Sequence, residues 1–166
     1  MHRTAHGPWW FSSNGSGRFD LRGPRGTCYL AADPVGALLE AHQGLTVVTD
    51  EVLAERHLLD AQVPRPLRLA NCCAPRAREF GVNAEIHDSP DYEKTNRWAA
   101  AFETSGFAGV RYFVRSDPSR NLVGYALFGT AGDRAGDWPA GTSRPVPDAV
   151  LRSAERWGFR VRPTPE

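Results

Sequence analysis

The chain has 166 residues, 41% hydrophobic and 23% charged, with a formal net charge of +1 and a pI of about 7.8. That is enough apolar material for one buried core. A charge so evenly balanced excludes a protein built around a basic surface for nucleic acid or an anionic membrane.

The basic residues are almost all arginine, with Lys94 the one lysine. Arginine is the better side chain for bidentate phosphate binding. Cys28, Cys72 and Cys73 make an odd set with one vicinal pair. This points to free thiols in a reducing compartment. No cysteine or histidine spacing suits zinc, so no metal is expected. The opening MHRTAHGPWWFSS lacks the apolar segment of a signal peptide, and no run is long enough to span a membrane. A cytoplasmic protein is the expectation.

Residues 1–26 read as loop, with one short strand near Pro8–Phe11. Thr27–Ala31 has strand propensity. Asp33-Pro34 starts a helix, since Asp can cap and Pro suits the first helical position. That helix runs to about His42 and ends near Gly44. Leu45–Val48 reads as a strand, and Asp50 as the cap of a short helix over Glu51–Arg56. Strands are expected at His57–Ala61 and Leu67–Ala70, around the breaker Pro64–Pro66. Ala74–Phe80 is a helical turn stopped by Gly81.

Ser89-Pro90-Asp91 opens the longest helix, about Tyr92–Ser105. Tyr92, Trp98, Ala99 and Phe102 approximate helical spacing, and Gly106 closes it. Gly109–Val114 and Leu122–Phe128 are strands separated by the turn Asp117-Pro118-Ser119. Residues 129–146 read as a long surface loop. Pro147–Arg156 is a helix and Trp157–Val161 a closing strand. With no repeat and no linker, residues 1–166 form a single α+β domain of short mixed or antiparallel sheets with interspersed helices.

Three residues suggest chemistry. Arg18 sits in GSGRFD, where glycines let the backbone turn sharply and approach a ligand. A guanidinium there can grip a diphosphate, or it can pair with an acid such as Asp20. Tyr29 is either a core tyrosine with a satisfied hydroxyl or a platform for a planar ring. Glu40 follows Ala37-Leu38-Leu39 at the C-terminal end of its helix, the wrong end for the helix dipole. Either water solvates it, or it is buried and needs a partner or a chemical task.

Arg18, Tyr29 and Glu40 are spaced by eleven residues, twice over. An anion clamp, an aromatic platform and a carboxylate are predicted to converge on one cleft for a charged nucleotide. Other groupings are weaker. The serines and histidines form no GxSxG signature, and Gly15–Gly17 is followed by no GK[ST]. Asp88, Asp91 and Glu93 serve the N-terminus of the long helix. Trp9, Trp10 and Phe11 are expected in the core, with the lining of a pocket as the alternative.

The order of motifs PWWFSS, GRFD, GTCYLA with Asp-Pro, ALLE, DYEKTNRWA, GFAGVRY and YALFG resembles the RES-domain family, over roughly residues 1–129. The resemblance implies a relative of the ADP-ribosyltransferase fold. It also implies an enzyme that consumes NAD, releasing nicotinamide to water or phosphate, as toxins of toxin–antitoxin pairs do. NAD is then the substrate, and no prosthetic group is implied. A helix-turn-helix antitoxin is the implied partner, and a homodimer is left open.

Arg18 matches the family Arg, Tyr29 the strand Tyr and Glu40 the family Glu. Arg3 matches the second Arg of an N-terminal YRxHR-like pattern. Arg3, Arg18, Tyr29 and Ser116 are the implied ligand-binding set. Arg18, Tyr29 and Glu40 are the implied catalytic set. The family Ser aligns with Val114, so Ser116 or Ser119 has to supply the hydroxyl by a local shift. Without it, alternatives stay open: transfer of ADP-ribose, action on a related nucleotide, or a non-catalytic nucleotide-binding module.

Overall fold

The computed structural model describes residues 1–165. The chain begins with two short strands, β1 (His2–Arg3) and β2 (Trp10–Phe11), and then the longer β3 (Arg25–Ala31). Helix α1 (Pro34–Ala41) starts as its sequence dictates. Asp33 accepts a hydrogen bond from the Val35 amide, and Pro34 occupies the first turn. Next come β4 (Val47–Thr49), α2 (Asp50–Ala54), β5 (Arg56–Leu58) and β6 (Ala70–Asn71). A 3-10 helix over Pro75–Phe80 ends at Gly81, whose left-handed backbone reverses the chain.

The helices α3 (Glu85–Asp88) and α4 (Tyr92–Thr104) follow. Asp91 caps α4 by accepting from the Lys94 amide. The remaining elements are β7 (Gly109–Phe113), β8 (Val123–Thr130), β9 (Gly132–Asp133), β10 (Arg144–Pro145), α5 (Asp148–Ala154), a 3-10 turn at Glu155–Trp157 and β11 (Arg160–Arg162).

A four-stranded sheet in the order β3-β8-β7-β6 is the frame. Its β3–β8 and β8–β7 pairs are antiparallel and β7–β6 is parallel. A smaller antiparallel sheet runs β1-β5-β10, while β2 pairs with β9 and β4 lies parallel to β11. The fold is therefore α+β with mixed and antiparallel sheets, as the element pattern predicts.

Helix α4 turns Ala99, Trp98 and Phe102 onto a core that includes Phe19, Ile86, Val110 and Tyr112. Phe19 is fully enclosed, and burying such a side chain is worth about 1.5–3 kcal/mol. Helices α1 and α5 close a second core around Leu38, Val114 and Phe159. Trp9 and Phe11 fill a third with Cys28 and Leu127, and Trp138 stacks on Trp9.

The sequence reading needs several corrections. Thr49, not Asp50, caps α2, because the Thr49 hydroxyl accepts from the Val52 amide. Arg56 leaves that helix and opens β5. The strand expected at Leu67–Ala70 is reduced to Ala70–Asn71, and α3 forms with no side-chain cap to announce it. The expected loop at 129–146 continues β8 to Thr130 and holds β9 and β10. Trp157 ends a 3-10 turn and does not begin the last strand. Trp10 is not core: it is 39% exposed, while its neighbours Trp9 and Phe11 are buried. All three thiols are free. No helix among the described residues is long and apolar enough to cross a membrane.

Candidate active site

One cleft of about 390 Å³ opens between the N-terminal segment, β3 and the C-terminal end of α1. Arg3, Arg18, Tyr29, Glu40 and Ser116 all line it. The side chains singled out in the sequence thus come together, although they come from β1, the loop before β3, β3, α1 and the loop after β7.

Glu40 is placed by α1, whose apolar face buries Leu38 and Leu39 and turns Glu40 toward the end of β7. Its carboxylate has three partners. Oε2 accepts from the Tyr112 hydroxyl at 2.9 Å, and Oε1 accepts from the Arg115 amide at 3.1 Å. The Arg18 guanidinium lies 3.6 Å from Oε1. These partners offset the unfavourable helix end that the sequence exposes. The Glu40 side chain is 19% exposed, so it is neither a solvated surface acid nor sealed off.

Arg18 is 7% exposed and pairs with Glu40, not with Asp20. Its guanidinium carbon stands 5.5 Å from the centre of the Tyr112 ring, within range of a cation–π attraction. Its Nε and Nη1 are buried without a hydrogen-bond partner among the described residues. A buried donor left open costs stability, and in a cleft it is a group ready for a ligand.

The Arg18 loop is fixed by Asp20. That fully buried carboxylate accepts from Ser12 Oγ, the Gly17 amide and the Tyr29 hydroxyl at 2.8–3.0 Å. Gly17 is required there, because a Cβ would overlap the Asp20 carboxylate and the Tyr29 hydroxyl. Tyr29 also accepts from the Phe19 amide at 2.9 Å. Its ring lines the cleft only half-buried, while its hydroxyl is locked inside. The hydroxyl is satisfied as in a core tyrosine, and the ring lies at the cleft wall. Burial and the Asp20 charge push the Tyr29 hydroxyl well above its ordinary pKa.

Tyr112 is the residue that sequence reasoning missed. Burial and the Glu40 charge raise its pKa well above the ordinary value, so it remains a proton donor to the carboxylate. Its ring needs Gly124 opposite it on β8, where any Cβ would collide with the phenol. In the sequence, GVRY reads as alternating strand, and nothing local shows that its tyrosine reaches a helix end. Val114, the position expected for the family Ser, is fully buried in the core against α1. Ser119 bonds Asp117 instead of entering the cleft. Ser116 lines the cleft.

Arg56, Arg115 and the stacked pair His6–Trp10, with rings 4.2 Å apart, complete the walls. Cys28 also faces the cleft, but burial pushes its thiol up to about 12, which leaves no thiolate for nucleophilic chemistry at neutral pH. Among the described residues no three His, Cys, Asp or Glu side chains gather as a metal site would need.

The model of the RES domain matches residues 1–148. Among curated proteins no match is found. The chain belongs to the RES-domain family.

Proposed function

We propose that the cleft binds NAD and breaks its nicotinamide–ribose bond, with water or phosphate as the acceptor. The observation that carries this reading is the Arg18–Glu40 pair at 3.6 Å, held inside a cleft of about 390 Å³ by Tyr112 and the Arg115 amide.

Departure of nicotinamide moves the C1′–N bonding electrons onto the pyridine nitrogen. The leaving group is then neutral and needs no general acid. Positive charge builds on the ribose carbon instead, and a fixed carboxylate beside it lowers the barrier. Glu40 fills that role. Its hydrogen bonds from Tyr112 and Arg115 are in place before the reaction, so little reorganisation is spent in the transition state. An oxygen of water or phosphate then forms the new bond to C1′, and its proton passes to solvent. Arg18 lines the cleft beside Glu40 and meets the ligand there, and the Tyr29 ring forms a wall against the nicotinamide ribose.

This activity suits the toxin of a pair neutralised by a helix-turn-helix antitoxin. The buried Val114 supports keeping a second reading, in which ADP-ribose passes to another acceptor in the same cleft. Purified protein incubated with NAD, with and without phosphate, is expected to release nicotinamide. Glu40→Gln should lower that rate by at least about 100-fold. Full turnover in Glu40→Gln removes the carboxylate from the mechanism. Mass analysis of the products separates free ADP-ribose, its phosphorylated form and a transferred adduct. Growth arrest on expression tests the toxin role.

A further inference from the structure

Resting on the dinucleotide reading of the cleft, we propose that Arg56, facing Arg3, forms its phosphoryl subsite, apart from the Arg18–Glu40 pair.

Arg3 and Arg56 are direct partners in the antiparallel register of β1 and β5. Side chains so placed share a sheet face with Cβ atoms about 4.5–5.5 Å apart, and like charges there destabilise the sheet. Neither arginine makes an ion pair among the described residues. Both line the same cleft as Glu40. The Arg56 Nε is buried and has no hydrogen-bond partner among the described residues.

Burial and Arg3 together lower the proton affinity of Arg56 by more than its exposed neighbour Glu55 restores. Two guanidinium groups thus stand opposite each other in the register, with no carboxylate paired to either among the described residues. Local rules broken without compensation mark functional positions.

The charge arithmetic of the cleft points the same way. Arg18 and Glu40 sum to zero, so that pair offers donors but little net field to an anion. Asp20 and Arg115, which also line the cleft, cancel as well, and Arg3 and Arg56 are left as two positive charges. A diphosphate brings two anionic groups, and guanidinium forks bind phosphoryl oxygens through paired, charge-assisted hydrogen bonds. A phosphoryl group between the two forks would remove the repulsion between the strands. Holding the anion on a separate pair of arginines also keeps Glu40, which serves the ribose carbon, from repelling the diphosphate.

The test is calorimetric titration of the intact protein at low ionic strength with ADP, pyrophosphate and orthophosphate. ADP and pyrophosphate are expected to bind, and Arg56→Gln to weaken each by tenfold or more. Arg3→Gln, on the exposed facing strand, should do the same and guards against misfolding of the half-buried Arg56 variant. Arg152→Gln, exposed on α5, should leave the affinities unchanged. If the arginine variants weaken orthophosphate alone, the subsite is phosphoryl-specific but takes a free phosphate instead of the nucleotide's. Unchanged affinity for all three probes in folded variants, or no binding to the unmodified protein, overturns the inference. Nicotinamide release plays no part in this readout. ADP binding through Arg56 without NAD cleavage would keep the subsite and remove the proposed reaction. NAD cleavage with Arg56-independent binding would do the reverse.

Discussion

Tyr112 and Glu40, 72 residues apart in the chain, meet through a 2.9 Å hydrogen bond from the phenol to Oε2. The bond joins the end of β7 to the last turn of α1 and fixes the carboxylate at the cleft wall. It also provides a hydroxyl to the acid, while Val114, where the resemblance led to the expectation of a serine, is buried.

Tyr112→Phe removes that hydroxyl and little else. A hydrogen bond to a charged group contributes about 1.5–3 kcal/mol, so kcat for nicotinamide release should fall about 10-fold or more while KM changes little. Steady-state rates over a range of NAD concentrations provide the check. An unaltered kcat in a folded variant means that the phenol does not position Glu40.

Arg18→Lys keeps the charge but loses the planar fork. The fork serves Glu40 and still presents two open nitrogens, tasks that a single ammonium cannot share. Loss should appear in both parameters, with kcat/KM down by about 10–100-fold. Wild-type kinetics from the lysine variant would show that geometry at this position is irrelevant.

Asp20→Ala tests the support of the Arg18 loop. Three donors converge on this buried carboxylate, and truncation leaves the Tyr29 O–H and the Gly17 N–H without their acceptor. The expected cost is about 2–4 kcal/mol, read as a lower urea midpoint at constant m-value. A midpoint equal to that of the parent protein would mean that the network contributes nothing to stability.

Stability should fall on mild acidification. His42 and His87 are lowered to about 4, mainly by burial, with Arg56 and Arg120 respectively adding to the effect. Asp88 faces His87 with the opposite sign, and Arg18 acts with Arg120. Between the ordinary value of 6.5 and about 4 the unfolded chain binds protons that the folded state refuses, so stability is full above 6.5 and is lost toward pH 4. Asp117 acts in a lower window. Burial alone would raise it, but donors from Ser119, Leu122, Trp157 and Asn121 outweigh that and hold it at about 2. Its contribution is present above 3.8 and disappears as pH falls through about 2. Thermal melts from pH 8 to 3 should show the histidine slope first, and His87→Gln should flatten it. A flat melting temperature between pH 7 and 4.5 would contradict the buried neutral imidazoles.

Much of this molecule is legible without coordinates wherever the cause is local. Asp33-Pro34 and Asp91 start helices because a side chain and the next few amides are all that a cap requires. Glu40 stands out because its helix end is electrostatically wrong for it, a conflict visible in eight residues. Residue type and spacing suggested that Arg18, Tyr29 and Glu40 converge, and motif order supported the same set through resemblance. By contrast, the two-residue strands β1, β9 and β10 carry no periodic signal, because two residues have no period.

Only the tertiary structure decided who the partners are. Arg18 had Asp20 two residues away, yet the buried carboxylate of Asp20 is filled by other donors and the guanidinium turns to Glu40. Arg56 ends the expected helix as an ordinary basic residue; strand register alone sets it against Arg3. Tyr112 becomes a carboxylate partner because Gly124, on the next strand, leaves room for its ring. Propensities and caps act over a few bonds and can be read from a string of letters. Contacts across dozens of residues depend on how sheets and helices pack, and that is settled by the whole chain at once.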